Sequence, residues 1–191
     1  MAMTQPIRSK RKVRELAAYY LDRGHLRNYT LIVLGLYTAL RISDLLRLRW
    51  EDVYNFESCL VRTCITITEK KTGKSKIIAL NKDAINALTL FALESAKQGS
   101  FLIENSRTGN AISRIQAYRI IRDAAEALNF QNRVSCHSLR KTFGYHAWKS
   151  GVSLAVIMQI YNHSSFAVTL RYLGITQDDI NEVYLNLSLM K

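Results

Sequence analysis

The chain has 191 residues, 48% of them hydrophobic, and a single proline, Pro6. That length suits one domain with a real core, because a compact chain of this size buries roughly 70% of its unfolded surface, and the composition excludes a disordered protein. No apolar run approaches the ~20 residues of a membrane span, so no membrane partner is expected. The basic N-terminus (Arg8, Lys10, Arg11, Lys12, Arg14) lacks the apolar segment of a secretory signal. Cys59, Cys64 and Cys136 are unpatterned, which excludes a disulfide framework or zinc site and fits a reducing cytoplasm. The net charge of +12 is spread along the chain rather than gathered in a tail. This favours a long polyanionic partner such as double-stranded DNA.

Residues 1–8 read as a flexible basic arm. From Ser9 the spacing of Val13, Leu16, Ala17, Tyr20 and Leu21 predicts a helix that Gly24 can end. A second helix, from about Arg27 to Tyr37 or Ala39, is apolar on nearly every side and is expected to be central and buried. A short helix from Ser43 to Arg49 follows. The period then shortens to two: Cys64–Thr68 and Lys76–Leu80 read as strands joined through Glu69-Lys70-Lys71-Thr72-Gly73-Lys74-Ser75, a β-hairpin with three lysines at its tip. That tip is either a solvated turn or a lysine finger aimed at a DNA groove. Helix returns over Lys82–Lys97, and Phe101–Ile103 reads as a short extended piece. Ser113 caps a helix to Leu128 whose outer face carries Arg114, Arg119 and Arg122, expected DNA contacts. Helices near 138–150, 153–161, 165–173 and 176–188 complete one domain over 1–191, mainly α with a small antiparallel sheet.

The chemistry concentrates in the last third. There is no acid pair, metal cluster or glycine-rich phosphate loop. His137 and Arg140 lie one helical turn apart, His163 follows, and Tyr172 succeeds Arg171 on a short helix. Arginine suits the non-bridging oxygens of a phosphate because its fork holds two at once and keeps its proton. Arg41, directly after the apolar helix, needs a carboxylate or an anionic ligand if buried, and Asp44 is its nearest candidate. Free tyrosine has a pKa of about 10, so Tyr172 requires cations and a histidine beside the same phosphate to act as a nucleophile. Read alone, most of the ten tyrosines are core residues.

Taken together, the chain resembles the tyrosine recombinase (phage integrase) family. The match runs through Ala39-Leu40-Arg41-Ile42-Ser43-Asp44-Leu45-Leu46-Arg47-Leu48, the lysine hairpin, His137-Ser138-Leu139-Arg140-Lys141-Thr142-Phe143, and Asn162-His163-Ser164-Ser165, with Tyr172 nine residues after His163. It covers about residues 25–188. The resemblance implies a helical catalytic domain with a small sheet, which cuts and rejoins DNA through a 3′-phosphotyrosyl link with neither metal nor ATP. It makes Tyr172 the nucleophile, Arg41 and Arg140 the phosphate clamp, and His137 and His163 the groups that position the phosphate and assist proton transfer. Lys71 becomes the donor to the leaving oxygen, with Lys70 and Lys74 as alternatives and neighbouring DNA contacts. Asp44 becomes the support of the first arginine, and Lys141 a further DNA contact. It also implies a homo-oligomer, a tetramer on paired sites, with residues 176–191 docking on a neighbouring subunit, and it admits an accessory DNA-bending protein.

Two positions depart from the family pattern: Asn162 stands where glycine is usual, and Leu173-Gly174 follow the tyrosine where a polar pair is common. Arg41 also lies too near residue 1 for the usual N-terminal core-binding domain. The chain is then either an excised catalytic domain or a compact member like the fimbrial-switch recombinases. Two competing readings are a non-catalytic helix-turn-helix regulator built on Gly151 to Tyr172 and a type IB topoisomerase. A metal-dependent nuclease would need a carboxylate cluster that the sequence lacks.

Overall fold

The structure, a computed structural model, describes residues 4–71 and 73–188. Ser9 is extended and accepts the Lys12 amide, which starts α1 (Lys10–Leu21) where the sequence predicts. Helix α2 (Leu26–Tyr37) is buried continuously from Tyr29 to Leu36 and forms the central post. Against it pack α1, α5 (Lys82–Ser95) and α7 (Cys136–Lys149). Gly35 permits the α2–α7 approach, since a Cβ there would lie 2.7 Å from Leu139 Cδ1.

Helix α3 (Ile42–Leu45) is shorter than the expected Ser43–Arg49 helix. The chain turns after it and starts a second short helix, α4 (Trp50–Val53), with Trp50 buried against Phe91. Strands β1 (Tyr54–Asn55) and β2 (Leu60–Val61) pair antiparallel. The sequence reading contains none of these three pieces, because two to four residues are too few to display a period. Strands β3 (Cys64–Thr68) and β4 (Ser75–Ala79) form the expected hairpin, with Ile65 opposite Ile78 and Ile67 opposite Lys76. Ile65 and Ile67 enter the core while Cys64, Thr66 and Thr68 face out. Phe101 bridges Arg49 as a single β-pair, and Ser113 and Gln116 cap α6 (Arg114–Ala127) reciprocally. The last helices are α8 (Leu154–Tyr161), α9 (Phe166–Leu173) and α10 (Gln177–Asn186). Among the described residues no helix is long and apolar enough to cross a membrane.

The core divides in two. A large cluster runs from α1 and α2 through the hairpin to α6 and α7, while a small one gathers Ala39, Ile157, Tyr161 and Leu173, with Phe143, Trp148 and Tyr172 against it. Gly144 lets the small cluster close, because a Cβ there would clash with the Tyr161 hydroxyl and come within 2.7 Å of Leu173.

The N-terminal segment has no helix or strand over residues 4–9, but it is not a free arm over residues 4–8. The Ile7 amide donates to Thr142 Oγ1 at 2.8 Å, and His146 Nε2 lies 3.0 Å from the Ile7 carbonyl. Arg8 reaches Asp179 Oδ2 at 3.1 Å and the Gly174 carbonyl at 2.5 Å. A basic composition suggested solvent exposure, yet these partners lie 135 or more residues away, where local sequence gives no hint of them.

Candidate active site

Two arginines far apart in the chain converge on one carbonyl. Arg140, 3% exposed, projects from the first turns of α7 and donates Nη2 to Tyr161 O at 3.0 Å and Nη1 to Ala39 O. Its guanidinium lies 4.7 Å from the centre of the Tyr161 ring, and the Tyr161 hydroxyl donates back to Arg140 O at 2.6 Å. Arg41, the residue that precedes α3, points Nη2 at the same Tyr161 carbonyl from 3.4 Å. Burial lowers the Arg140 pKa, and the nearby Arg41 charge acts in the same direction. Two cations held this close repel each other, so the site favours an anion between them.

Arg41 does not pair with Asp44. Its Nη1 lies 2.8 Å from Glu69 Oε2, and Glu69 is fully buried at the base of the lysine turn. Asp44, also fully buried, accepts the Lys70 amide at 3.0 Å. Its support of Arg41 therefore runs through the hairpin: Asp44 fixes the turn, and the turn presents Glu69. Arg41 and Asp44 lie three positions apart, yet one takes the Glu69 carboxylate and the other the Lys70 amide, which spacing alone cannot reveal. Glu69 also meets Lys76 Nζ at 3.1 Å and accepts Asn162 Nδ2 at 3.0 Å. Lys76 donates to Ile160 O at 3.3 Å, and its pKa is lowered by burial, with Glu69 offsetting part of that. Sequence reasoning missed both Glu69 and Lys76. The only available signal was a carboxylate at a strand end among three lysines.

His137 sits in the first turn of α7, one turn before Arg140, and opens to solvent. Crowding on its inner side, then the charges of Arg140, Lys141 and Arg41, lower its pKa. His163 follows α8 directly. Asn162 takes the left-handed conformation (φ 55°, ψ 43°), its amide bonds Gln159 O, and the His163 amide bonds Met158 O, a Schellman ending. This explains the departure at Asn162. The position requires positive φ, asparagine tolerates it better than most residues, and its amide adds the bond to Glu69. His163 Nδ1 lies 3.1 Å from Thr169 Oγ1, whose own proton goes to Ser165 O at 3.3 Å. With the Thr169 proton on Ser165 O, Nδ1 carries the ring hydrogen and Nε2 keeps its lone pair. Burial, then Arg140, Arg41 and Lys71, lower the His163 pKa to about 4, so the ring is neutral at pH 7.

Tyr172 projects from α9 into this group. Its ring centre lies 5.2 Å from His163 and 5.0 Å from Tyr161. Burial raises its pKa, and Arg140 and Arg41 offset only part of that, so the resting phenol is protonated. The structure thus brings Arg41, His137, Arg140, His163 and Tyr172 together. Lys71 is exposed on the turn with its charge acting on His163, and Lys70 and Lys74 are exposed beside it. Lys141 differs from expectation: it is 5% exposed, donates to Thr4 O at 2.6 Å and stands 5.3 Å over the Tyr172 ring. Lys141 shares a helix face with His137, but the N-terminal segment covers it through the Thr4 carbonyl, so it is not an open DNA contact. Arg114 and Arg119 are exposed on α6, whereas Arg122 is engaged by Asp123 at 2.9 Å and Glu126 at 3.4 Å.

Comparison with known proteins decides the family. Residues 9–178 match the model of the phage integrase family. The chain belongs to that family. It is 38% identical over 184 residues to the probable integrase/recombinase YoeC of Bacillus subtilis, covering 96% of this chain and 97% of that one. It is 28% identical to tyrosine recombinase XerD of Mycobacterium leprae over 83% of this chain, but spans only 51% of XerD. The crystal structure of XerA recombinase superposes with a TM-score of 0.77 at 22% identity, over 97% of this chain and 64% of XerA, and so shares the fold. Family membership makes the chain a site-specific DNA recombinase, with the helical catalytic-domain fold that the sequence resemblance implied.

Proposed function

We propose that this recombinase cleaves and rejoins DNA through Tyr172. The observation that carries the reading is the convergence of Arg41 and Arg140 on the Tyr161 carbonyl, beside a phenol and a neutral histidine. The scissile phosphate fits between the two guanidiniums, where their forks hold its non-bridging oxygens and offset the charge that grows in the transition state. Tyr172 Oη attacks phosphorus, and His163 Nε2 accepts its proton. His137 donates to a phosphate oxygen. The bond from phosphorus to the 5′ oxygen breaks, and Lys71 protonates that oxygen. The products are a 3′-phosphotyrosyl link and a free 5′-hydroxyl. A 5′-hydroxyl from the partner strand reverses the chemistry, so bond energy is conserved and neither metal nor ATP takes part.

Lys70, Lys74, Arg114 and Arg119 contribute phosphate contacts away from the cut, and affinity falls steeply with salt. The partner subunit is a second copy of this chain. Val183, Tyr184 and Leu185 of α10 are 61%, 79% and 83% exposed, Phe166 and Val168 of α9 are exposed too, and such apolar side chains suit subunit contact.

Covalent capture tests the reading. The protein and Tyr172→Phe are incubated with sheared genomic DNA in chelator and denatured, and protein-linked ends are sequenced. Tyr172-dependent 3′ adducts at one sequence are expected. Adducts that survive in Tyr172→Phe remove Tyr172 from its role. Scattered ends indicate topoisomerase activity, and intact binding without adducts indicates the regulator reading.

A further inference from the structure

Glu69 is fully buried with Arg41 and Lys76 at its carboxylate, and is unassigned by the chemistry above. Its carboxylate joins three separate chain segments. Arg41 Nη1 approaches Oε2 at 2.8 Å, Lys76 Nζ approaches Oε1 at 3.1 Å, and Asn162 Nδ2 donates to Oε2 at 3.0 Å. Glu69 also begins the turn that carries Lys71, accepting the Gly73 amide and donating its own amide to Lys74 O. Asn162 is the left-handed residue that sets the direction of His163. One side chain is thus tied to the segments bearing Arg41, Lys71 and His163. A carboxylate suits this place because two oxygens with several lone pairs can serve an arginine, a lysine and an amide at once, whereas a glutamine offers one acceptor oxygen.

We propose that Glu69 is a positioning residue for strand cleavage: it holds the Arg41 guanidinium, the Lys71 turn and the His163 cap in one fixed frame before the phosphate arrives. Among the described residues, a 3.4 Å contact to Tyr161 O is what otherwise orients Arg41. A buried arginine also needs an opposite charge while the phosphate is absent. The carboxylate repels the incoming phosphate, yet fixes the groups that act on it. Removing its charge should therefore move binding and cleavage in opposite directions. A residue that merely maintained the fold would lower both together. The proposal rests on Tyr172 chemistry, and its test separates the two.

The experiment compares parent, Tyr172→Phe, Glu69→Gln, Asn162→Gly and the double variant Glu69→Gln/Asn162→Gly on a duplex recovered by covalent capture, with 3′-adduct formation and equilibrium binding both measured. Adducts in Tyr172→Phe would sink the underlying reading. With tyrosine-dependent adducts in hand, Glu69→Gln is expected to bind the duplex at least as tightly as the parent and to form adducts roughly a hundredfold more slowly, the scale of a small misplacement of a phosphate-binding group. Asn162→Gly keeps the left-handed turn at no steric cost and loses only the tie to Glu69. It is expected to slow adduct formation about tenfold, and the double variant should be no slower than Glu69→Gln, because both act through one link. Glu69→Gln cleaving within about twofold of the parent overturns the proposal. So does a parallel loss of binding and cleavage, or full additivity of the two substitutions.

Discussion

The arginines and the nucleophile stand on different foundations. Arg41 and Arg140 are held where the large core meets the small one, by the Ala39 and Tyr161 carbonyls and the Glu69 carboxylate. Tyr172 rides on an eight-residue helix whose buried residues are Thr169 and Leu173. The segment beyond it is tied chiefly through polar contacts. Asp179 takes Arg8 at 3.1 Å, Lys149 at 3.2 Å and the Thr176 amide at 2.9 Å, while the apolar face of α10 stays open. The difference fits the proposed chemistry. A phosphate clamp gains from being rigid before the ligand arrives. A nucleophile that must attack, release and accept a new strand gains from a base that can shift.

The comparison can be broken most directly at the clamp. Arg140→Ala is expected to lower adduct formation on the order of a thousandfold, read by single-turnover cleavage. Full activity would show that the phosphate binds elsewhere. Lys71→Ala is expected to slow cleavage about a hundredfold and to recover on 5′-phosphorothiolate DNA, whose leaving group needs no proton. Recovery in Lys74→Ala instead would move the donor along the turn.

Smaller effects sharpen the contrast between the two cores. Gly144→Ala drives a methyl into Tyr161 and Leu173 and is expected to cost about 1–3 kcal/mol by denaturant unfolding. It should slow cleavage further, since Tyr161 carries the shared carbonyl. Gly35→Ala clashes with one atom, Leu139 Cδ1, rather than with two side chains, and is expected to cost less, with cleavage little changed. Equal kinetic effects would erase the distinction. At the polar tie, burial raises the Asp179 pKa, but the Thr176 amide, Lys149, the Thr176 hydroxyl and Arg8 outweigh it and bring it to about 2. A depressed carboxylate stabilises the fold above its unfolded pKa, and the benefit vanishes as pH falls toward 2. About 2 kcal/mol should therefore be lost across that window, and Asp179→Asn should flatten the response in acid unfolding curves. The smallest signal is His163, whose NMR titration midpoint near pH 4 should rise when phosphate offsets Arg41 and Arg140.

The sequence showed what neighbours in the chain can show. His137 and Arg140 share a helical turn, the Ile65–Ile67 alternation announces a strand, and Ser9 and Ser113 mark helix starts. The five residues proposed as catalytic were recognisable because each sits in a short motif. Glu69, Lys76 and the Tyr161 carbonyl were not. Glu69 finds Asn162 across 93 residues, and Arg41 finds Tyr161 across 120. A lysine-rich turn hid the acid that pairs with Arg41, and the motif residue Asp44 offered a candidate nearer in sequence. Lys141 looked like another surface cation, because its partner Thr4 lies 137 residues upstream.

Arg8 carries a practical consequence. The family match begins at residue 9, one position after it. An expression fragment cut at that boundary would keep every helix and every proposed catalytic side chain, yet it would lose the guanidinium that stitches Gly174 and Asp179 to the front of the chain. It would also lose the Thr4 carbonyl that holds Lys141 over the tyrosine ring. Such a fragment should fold and bind DNA while its tyrosine helix drifts, and an inactive trimmed protein would then report on eight missing residues rather than on the enzyme.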